Sequence, residues 1–142
     1  MKKVLVTGTF DILHPGHVYL LRQARLQGDF LTVVVARDET VRLVKGKRPI
    51  HSHSVRAANV RRLGIADRVI IGRRGDKLRV IEIVRPDIIC LGYDQRSFTR
   101  NLRVELQKRG LKTKVVRLRS YHPRRYKTSL LREQRATPLD QT

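Results

Sequence analysis

The chain has 142 residues, with 32 Lys and Arg against 12 Asp and Glu, a formal net charge of +20 at pH 7 and a single cysteine. That length allows one domain with a sizeable core, while one cysteine excludes an internal disulfide framework and fits a reducing cytoplasm. No apolar run reaches the length of a membrane span, and the N-terminus lacks the apolar region of a signal peptide, so no membrane role is expected. The positive field attracts anions, either nucleotides or nucleic acid. Yet the basic residues are scattered in pairs such as Arg61-Arg62, Arg73-Arg74 and Arg124-Arg125, and aromatics make up only 5% of the chain. Few rings are left for stacking bases, so most of the charge reads as solvated surface with room for non-specific contact to RNA.

The apolar run Val4-Leu5-Val6 predicts a buried parallel strand. Pro15 suits a first helical position, and Val18, Leu20, Leu21 and Ala24 continue at helical spacing towards Gly28, the expected stop. Between strand and helix lies GTFDILHPGH, residues 8–17, with His14 and His17 three apart and on one side of the helix start. Free backbone N–H groups and the positive end of the helix dipole point the same way, which favours a phosphate. Zinc needs three or four ligands, and Cys90, His51, His53 and His122 show no ligand spacing with this pair. No residue is assigned as a metal ligand.

Residues 30–36 (FLTVVVA) predict a second buried strand, and Arg37-Asp38-Glu39-Thr40 opens a short helix with acidic residues near its start. Strand, helix, strand implies a right-handed parallel βαβ unit. Lys45-Gly46-Lys47-Arg48-Pro49 is a basic loop beside the expected phosphate site, and Gly46 gives it freedom to fold over a ligand. A helix within residues 49–63 takes Ser52 or Ser54 as its cap. Residues 68–72 form a strand. Residues 76–84 form a helix, with Leu78, Ile81 and either Val80 or Val84 inward, ended by Pro86. Residues 87–91 form the next strand and deliver Asp94 to the carboxyl edge, where ligands gather in open parallel sheets. Asp94 could instead cap the helix of residues 97–109, which stops at Gly110. The last strand, 113–118, brings Arg119 and Tyr121 to the same edge, where they suit a purine. Thr128 and Ser129 open a short helix, 128–133, as caps or as a second anion cradle. Residues 1–135 read as one domain and 136–142 as a short disordered tail.

GTFDILHPGH resembles the signature of the cytidylyltransferase-like nucleotidyltransferases, whose HxGH element binds the phosphates of a nucleoside triphosphate. ARDETV (36–41), KGKRPI (45–50), RPDIICLGYDQ (85–95) and YKTS (126–129) follow in the order seen in the small archaeal-type FAD synthases. The likeness covers nearly the whole chain. It implies an α/β, Rossmann-like three-layer fold with a five-stranded, mostly parallel sheet, and a homodimer. By the same resemblance His14, His17 and Lys45 are catalytic. Thr9, Phe10, Pro15, Gly16, Lys47, Asp94, Arg119, Tyr121, Thr128 and Ser129 join His14 and His17 in binding the nucleotide. The chain departs from the family at His51-Ser52-His53-Ser54-Val55-Arg56, where acidic positions are missing and only Arg56 matches.

No nucleophile stands out, since Cys90 lies in a strand and no Gly-x-Ser-x-Gly turn or P-loop occurs. Direct displacement is therefore expected: a phosphate oxygen of the acceptor attacks the α-phosphorus and pyrophosphate leaves. A divalent metal, Mg2+, is expected on the triphosphate. Asp11 is the nearest carboxylate, or else a cap for its loop. ATP with FMN, giving FAD, is the first expectation. CTP with glycerol 3-phosphate, ATP with phosphopantetheine, and a nucleic-acid-binding module are the alternatives.

Overall fold

The computed structural model describes residues 1–74, 78–92 and 101–118. Along these residues run β1 (Lys3–Gly8), α1 (Pro15–Arg25), β2 (Phe30–Val35), α2 (Asp38–Lys45), α3 (His53–Arg62) and β3 (Arg68–Ile71). They continue with α4 (Arg79–Val84), β4 (Ile88–Leu91), α5 (Leu102–Lys108) and β5 (Lys114–Arg117). The five strands form one sheet in the order β3-β2-β1-β4-β5, and every pairing is parallel.

The order follows from which strands are apolar on both faces. β1 is central, and its residues alternate between two cores: Val4 and Val6 pack with Leu21, Ala24, Val33, Ala57 and Val60, whereas Leu5 packs with Val80, Ile81, Leu102 and Leu106. A central parallel strand must satisfy helices on both sides, hence the unbroken apolar run. α1 and α3 contribute to the first core, α4 and α5 to the second. The chain therefore winds one way from β1 to β3 and the other way from β4 to β5. The reversal lies between β1 and β4, the place where ligands settle in such sheets.

The amino edge of the sheet is closed by three aspartates that each stand directly before a strand. Asp29 accepts the Lys2 N–H at 2.7 Å, Asp67 the Leu31 N–H at 2.8 Å and Asp87 the Lys3 N–H at 2.8 Å. Each carboxylate satisfies a backbone donor of the adjoining strand at its open end.

One expected stop moves. α1 ends at Arg25 with Leu26 as its cap, three residues before Gly28. Gly28 is instead a point of close approach: a Cβ there would lie 2.7 Å from Val4 Cγ2 and 2.8 Å from the Lys2 carbonyl oxygen. Its want of a side chain lets the connection to β2 pass against β1. The C-terminal helix and tail expected for residues 128–142 lie outside the described residues.

Candidate active site

At the carboxyl edge, β1 runs into a tight loop and then α1. Phe10, in this loop, holds a left-handed backbone at φ 53° while its ring is buried in the first core. A non-glycine residue tolerates that conformation only where the surroundings over-determine it. Here the buried ring is the anchor, and His17 stands over it with ring centroids 5.5 Å apart.

His14 and His17 cap α1 reciprocally. The Gly16 N–H donates to His14 Nδ1 at 3.0 Å, and the His14 N–H donates to His17 Nδ1 at 3.3 Å. This is a capping box built from imidazoles rather than from Ser and Glu. Because each Nδ1 accepts, the hydrogen-bond network assigns the proton of each neutral ring to Nε2. The rings lie 4.0 Å apart between centroids, tilted by 36°. Desolvation lowers the His14 pKa below 6.5, favouring the neutral donor form. The site thus holds two oriented imidazoles at the positive end of a helix.

These side chains line a hollow of about 530 Å³ at the carboxyl ends of the strands, a size within the usual range for small-molecule sites. Thr9, Phe10, His14, His17 and Lys45 all line it, as does Asp11. Pro15 and Gly16 form the first turn of α1, Gly16 contributing the amide that orients His14. Lys47 is exposed and is not among the lining residues. Asp94, Arg119, Tyr121, Thr128 and Ser129 lie outside the described residues.

Several lining residues were not expected from the sequence: Arg37, Thr40, Val41 and Val44 after β2, and Gly72 and Arg73 after β3. The rule that placed Asp94, that residues following a parallel strand reach the ligand edge, applies equally to them. Arg37 Nη1 donates to the Gly72 carbonyl at 3.3 Å, and its Nε stands 3.5 Å from Glu39 Oε2, an ion-pair distance without hydrogen-bond geometry.

Arg56, on α3, is fully buried. A buried guanidinium persists only if its donors are met. Nη1 donates to the Thr9 carbonyl at 2.8 Å, Nε to the His51 carbonyl at 2.9 Å and Nη2 to Asp38 Oδ1 at 2.6 Å. Asp11 receives the Ile50 N–H at 2.7 Å on Oδ2 and the His51 N–H at 2.9 Å on Oδ1. Burial raises the Asp11 pKa, but those two amides, with the Arg56 charge, outweigh it and hold the carboxyl below 3.8.

Both Asp11 oxygens are therefore engaged, and among the described residues no three of His, Cys, Asp and Glu gather to hold a metal ion. The described side chains do not form a resident metal cage. No described helix is long and apolar enough to cross a membrane.

An open parallel sheet with this strand order, carrying imidazoles on the first turn after its central strand, defines a nucleotide-binding α/β protein. The Cytidylyltransferase-like family model matches residues 5–134, and the chain belongs to that family. Within it, the chain is 51% identical over 121 residues to the FAD synthase of Aciduliprofundum boonei, covering 85% of this chain and 80% of that protein. It is 50% identical over 118 residues to the FAD synthase of Methanosarcina barkeri, covering 83% and 84%. Among solved structures it is similar to the lipopolysaccharide core biosynthesis protein from Thermoplasma volcanium, with a TM-score of 0.80 and 44% identity over 85% of this chain and 98% of that one.

Proposed function

We propose that this chain is a nucleotidyltransferase that moves the adenylyl group of ATP to FMN, giving FAD and pyrophosphate. The observation that carries the substrate pair is identity of 51% and 50%, over most of both chains, to proteins named FAD synthase. The site suits the chemistry. An FMN phosphate oxygen attacks the α-phosphorus of ATP, the bond from that phosphorus to the bridging oxygen breaks, and pyrophosphate carries away the electron pair. A phosphate monoester is already ionised near neutral pH, so the protein has to position the partners and stabilise charge rather than supply a strong base.

In this reading His14 and His17 donate Nε2–H to oxygens around the α- and β-phosphates. Lys45 or Lys47 neutralises the β,γ end, with Thr128 and Ser129 as a second cradle. Thr9, Phe10, Pro15 and Gly16 shape the loop at the α-phosphate, and Asp94, Arg119 and Tyr121 take the nucleoside. A divalent cation, Mg2+, enters with the triphosphate as part of the substrate. Residues 1–135 act as a single domain, followed by a short tail at 136–142; the family match over residues 5–134 supports that extent. A homodimer follows from the prevalence of two-fold symmetric oligomers. The single cysteine fits a cytoplasmic setting, and the +20 charge adds non-specific attraction for nucleic acid.

Incubation with Mg2+, ATP and FMN should release pyrophosphate and form FAD, read by chromatography. Turnover with CTP and glycerol 3-phosphate, or with phosphopantetheine, in place of any with FMN would overturn the substrate assignment.

A further inference from the structure

The loop between α2 and α3 carries Lys47 and Arg48, and it leaves α2 at Gly46, whose left-handed φ of 79° caps the helix. It reaches α3 at Ser52, whose hydroxyl accepts the Val55 N–H at 3.2 Å. Between these ends it is tied to the imidazole-bearing loop, about forty residues earlier in the chain, by bonds that run both ways. Asp11 accepts from the amides of Ile50 and His51, while Arg56 donates to the carbonyls of His51 and Thr9. The third arm of Arg56 reaches Asp38 in the first turn of α2, the helix that ends in Lys45. Asp38 is held in turn by α3, since its N–H donates to His53 Nδ1 at 3.1 Å.

We propose that Asp11 and Arg56 are positioning residues that brace the cationic segment Lys45–Arg48 against the imidazole loop, setting the distance between the two sides of the nucleotide site. The proposal rests on the phosphate roles given above to His14, His17 and Lys45 or Lys47. Its physical content is that backbone amides and carbonyls are the atoms held, so the brace fixes main-chain position and leaves the lysine side chains to meet the ligand. A fully buried guanidinium with three differently directed acceptors is a costly device for packing alone, and an apolar side chain of similar length would fill the same space. Asp11 is thereby committed to the protein rather than to a metal.

The test uses Asp11→Ala, Asp11→Asn, Arg56→Met and the double variant Lys45→Ala/Lys47→Ala, separately and combined, in the full chain. Three readouts are taken: ATP affinity with Mg2+, kcat/KM for FAD formation, and hydrogen exchange of the Ile50 and His51 amides. Asp11→Ala should free both amides to exchange and lower kcat/KM by up to about a hundredfold, the effect of an ångström-scale misplacement. Asp11→Asn, which keeps one acceptor oxygen, should recover part of the loss. Arg56→Met should reproduce the kinetic loss. Combined with Lys45→Ala/Lys47→Ala, the Asp11→Ala loss in ATP affinity should be less than additive, because the segment it places no longer carries those charges.

Full additivity with the double variant Lys45→Ala/Lys47→Ala would overturn the brace. So would a loss in Asp11→Ala that added Mn2+ restores while the amides stay protected, since that would make Asp11 a metal ligand. A wild-type chain that binds ATP yet forms no FAD would instead overturn the functional reading. The brace would then be judged on ATP affinity and amide exchange alone.

Discussion

At the amino edge of the sheet, Asp29, Asp67 and Asp87 accept single N–H groups at the ends of adjoining strands; at the carboxyl edge, Asp11, which lines the hollow, accepts two from the loop between α2 and α3. The bond is the same in kind, and the partner decides its consequence. Where the partner is the next strand, the carboxylate closes a seam and contributes stability. Where the partner is the loop that follows Lys45, it ties that loop to the imidazole-bearing one beside a ligand-sized space. Stability and catalysis should therefore separate by edge, and substitutions at each edge test the separation.

The largest effect is expected at the carboxyl edge. His17→Ala removes one charge-stabilising donor and should lower turnover by roughly a hundredfold or more. The chain should remain folded, with a loss of about 1 kcal/mol from the missing cap. Near-normal turnover in that variant would remove His17 from the reaction. Gly28→Ala, at the amino edge, forces a methyl group against Val4 and the Lys2 carbonyl and should cost about 1–3 kcal/mol in chemical denaturation, with kcat unchanged. Asp87→Ala leaves the Lys3 N–H without its carboxylate and should cost about 1 kcal/mol, again without a change in kcat. A matching fall in kcat for either amino-edge variant would erase the contrast.

The smallest effect is a pH dependence. Desolvation puts the His14 pKa below its value of 6.5 in an unfolded chain, so the unfolded state binds this proton more readily. The contribution to stability is fully present above pH 6.5 and is lost as pH falls through the lower folded value. Thermal midpoints at pH 7.5 and 5.5 should therefore differ more in the wild type than in His14→Asn, which keeps a cap acceptor and does not titrate. Equal differences in the two proteins would show that His14 does not contribute.

The strands and helices were legible because burial on both faces writes continuous apolar runs, and because Ser52 and Pro15 are strong local helix signals. The imidazole pair was legible for the same local reason. Gly28 does not stop the helix, and the atoms that exclude its side chain belong to Lys2 and Val4, some two dozen residues away, where no local pattern records them. Arg56 offered no local sign of burial: arginine is usually exposed, and its partners at Thr9, Asp38 and His51 come from three other segments. Arg37 and Arg73 line the hollow because they follow β2 and β3 at the carboxyl edge, a position that their residue types alone do not mark.

Sequence alone determined the order of strands and helices, the opening parallel βαβ unit and the helix start that presents His14 and His17, since each depends on periodicity or capping within a few residues; the five-stranded Rossmann-like class came through the family resemblance. Tertiary structure alone decided that Asp11 faces backbone amides, that Arg56 is buried, and that Lys45 lines the hollow while Lys47 does not. Those outcomes depend on main-chain groups brought together across about forty residues, and a string of side chains records no such distances.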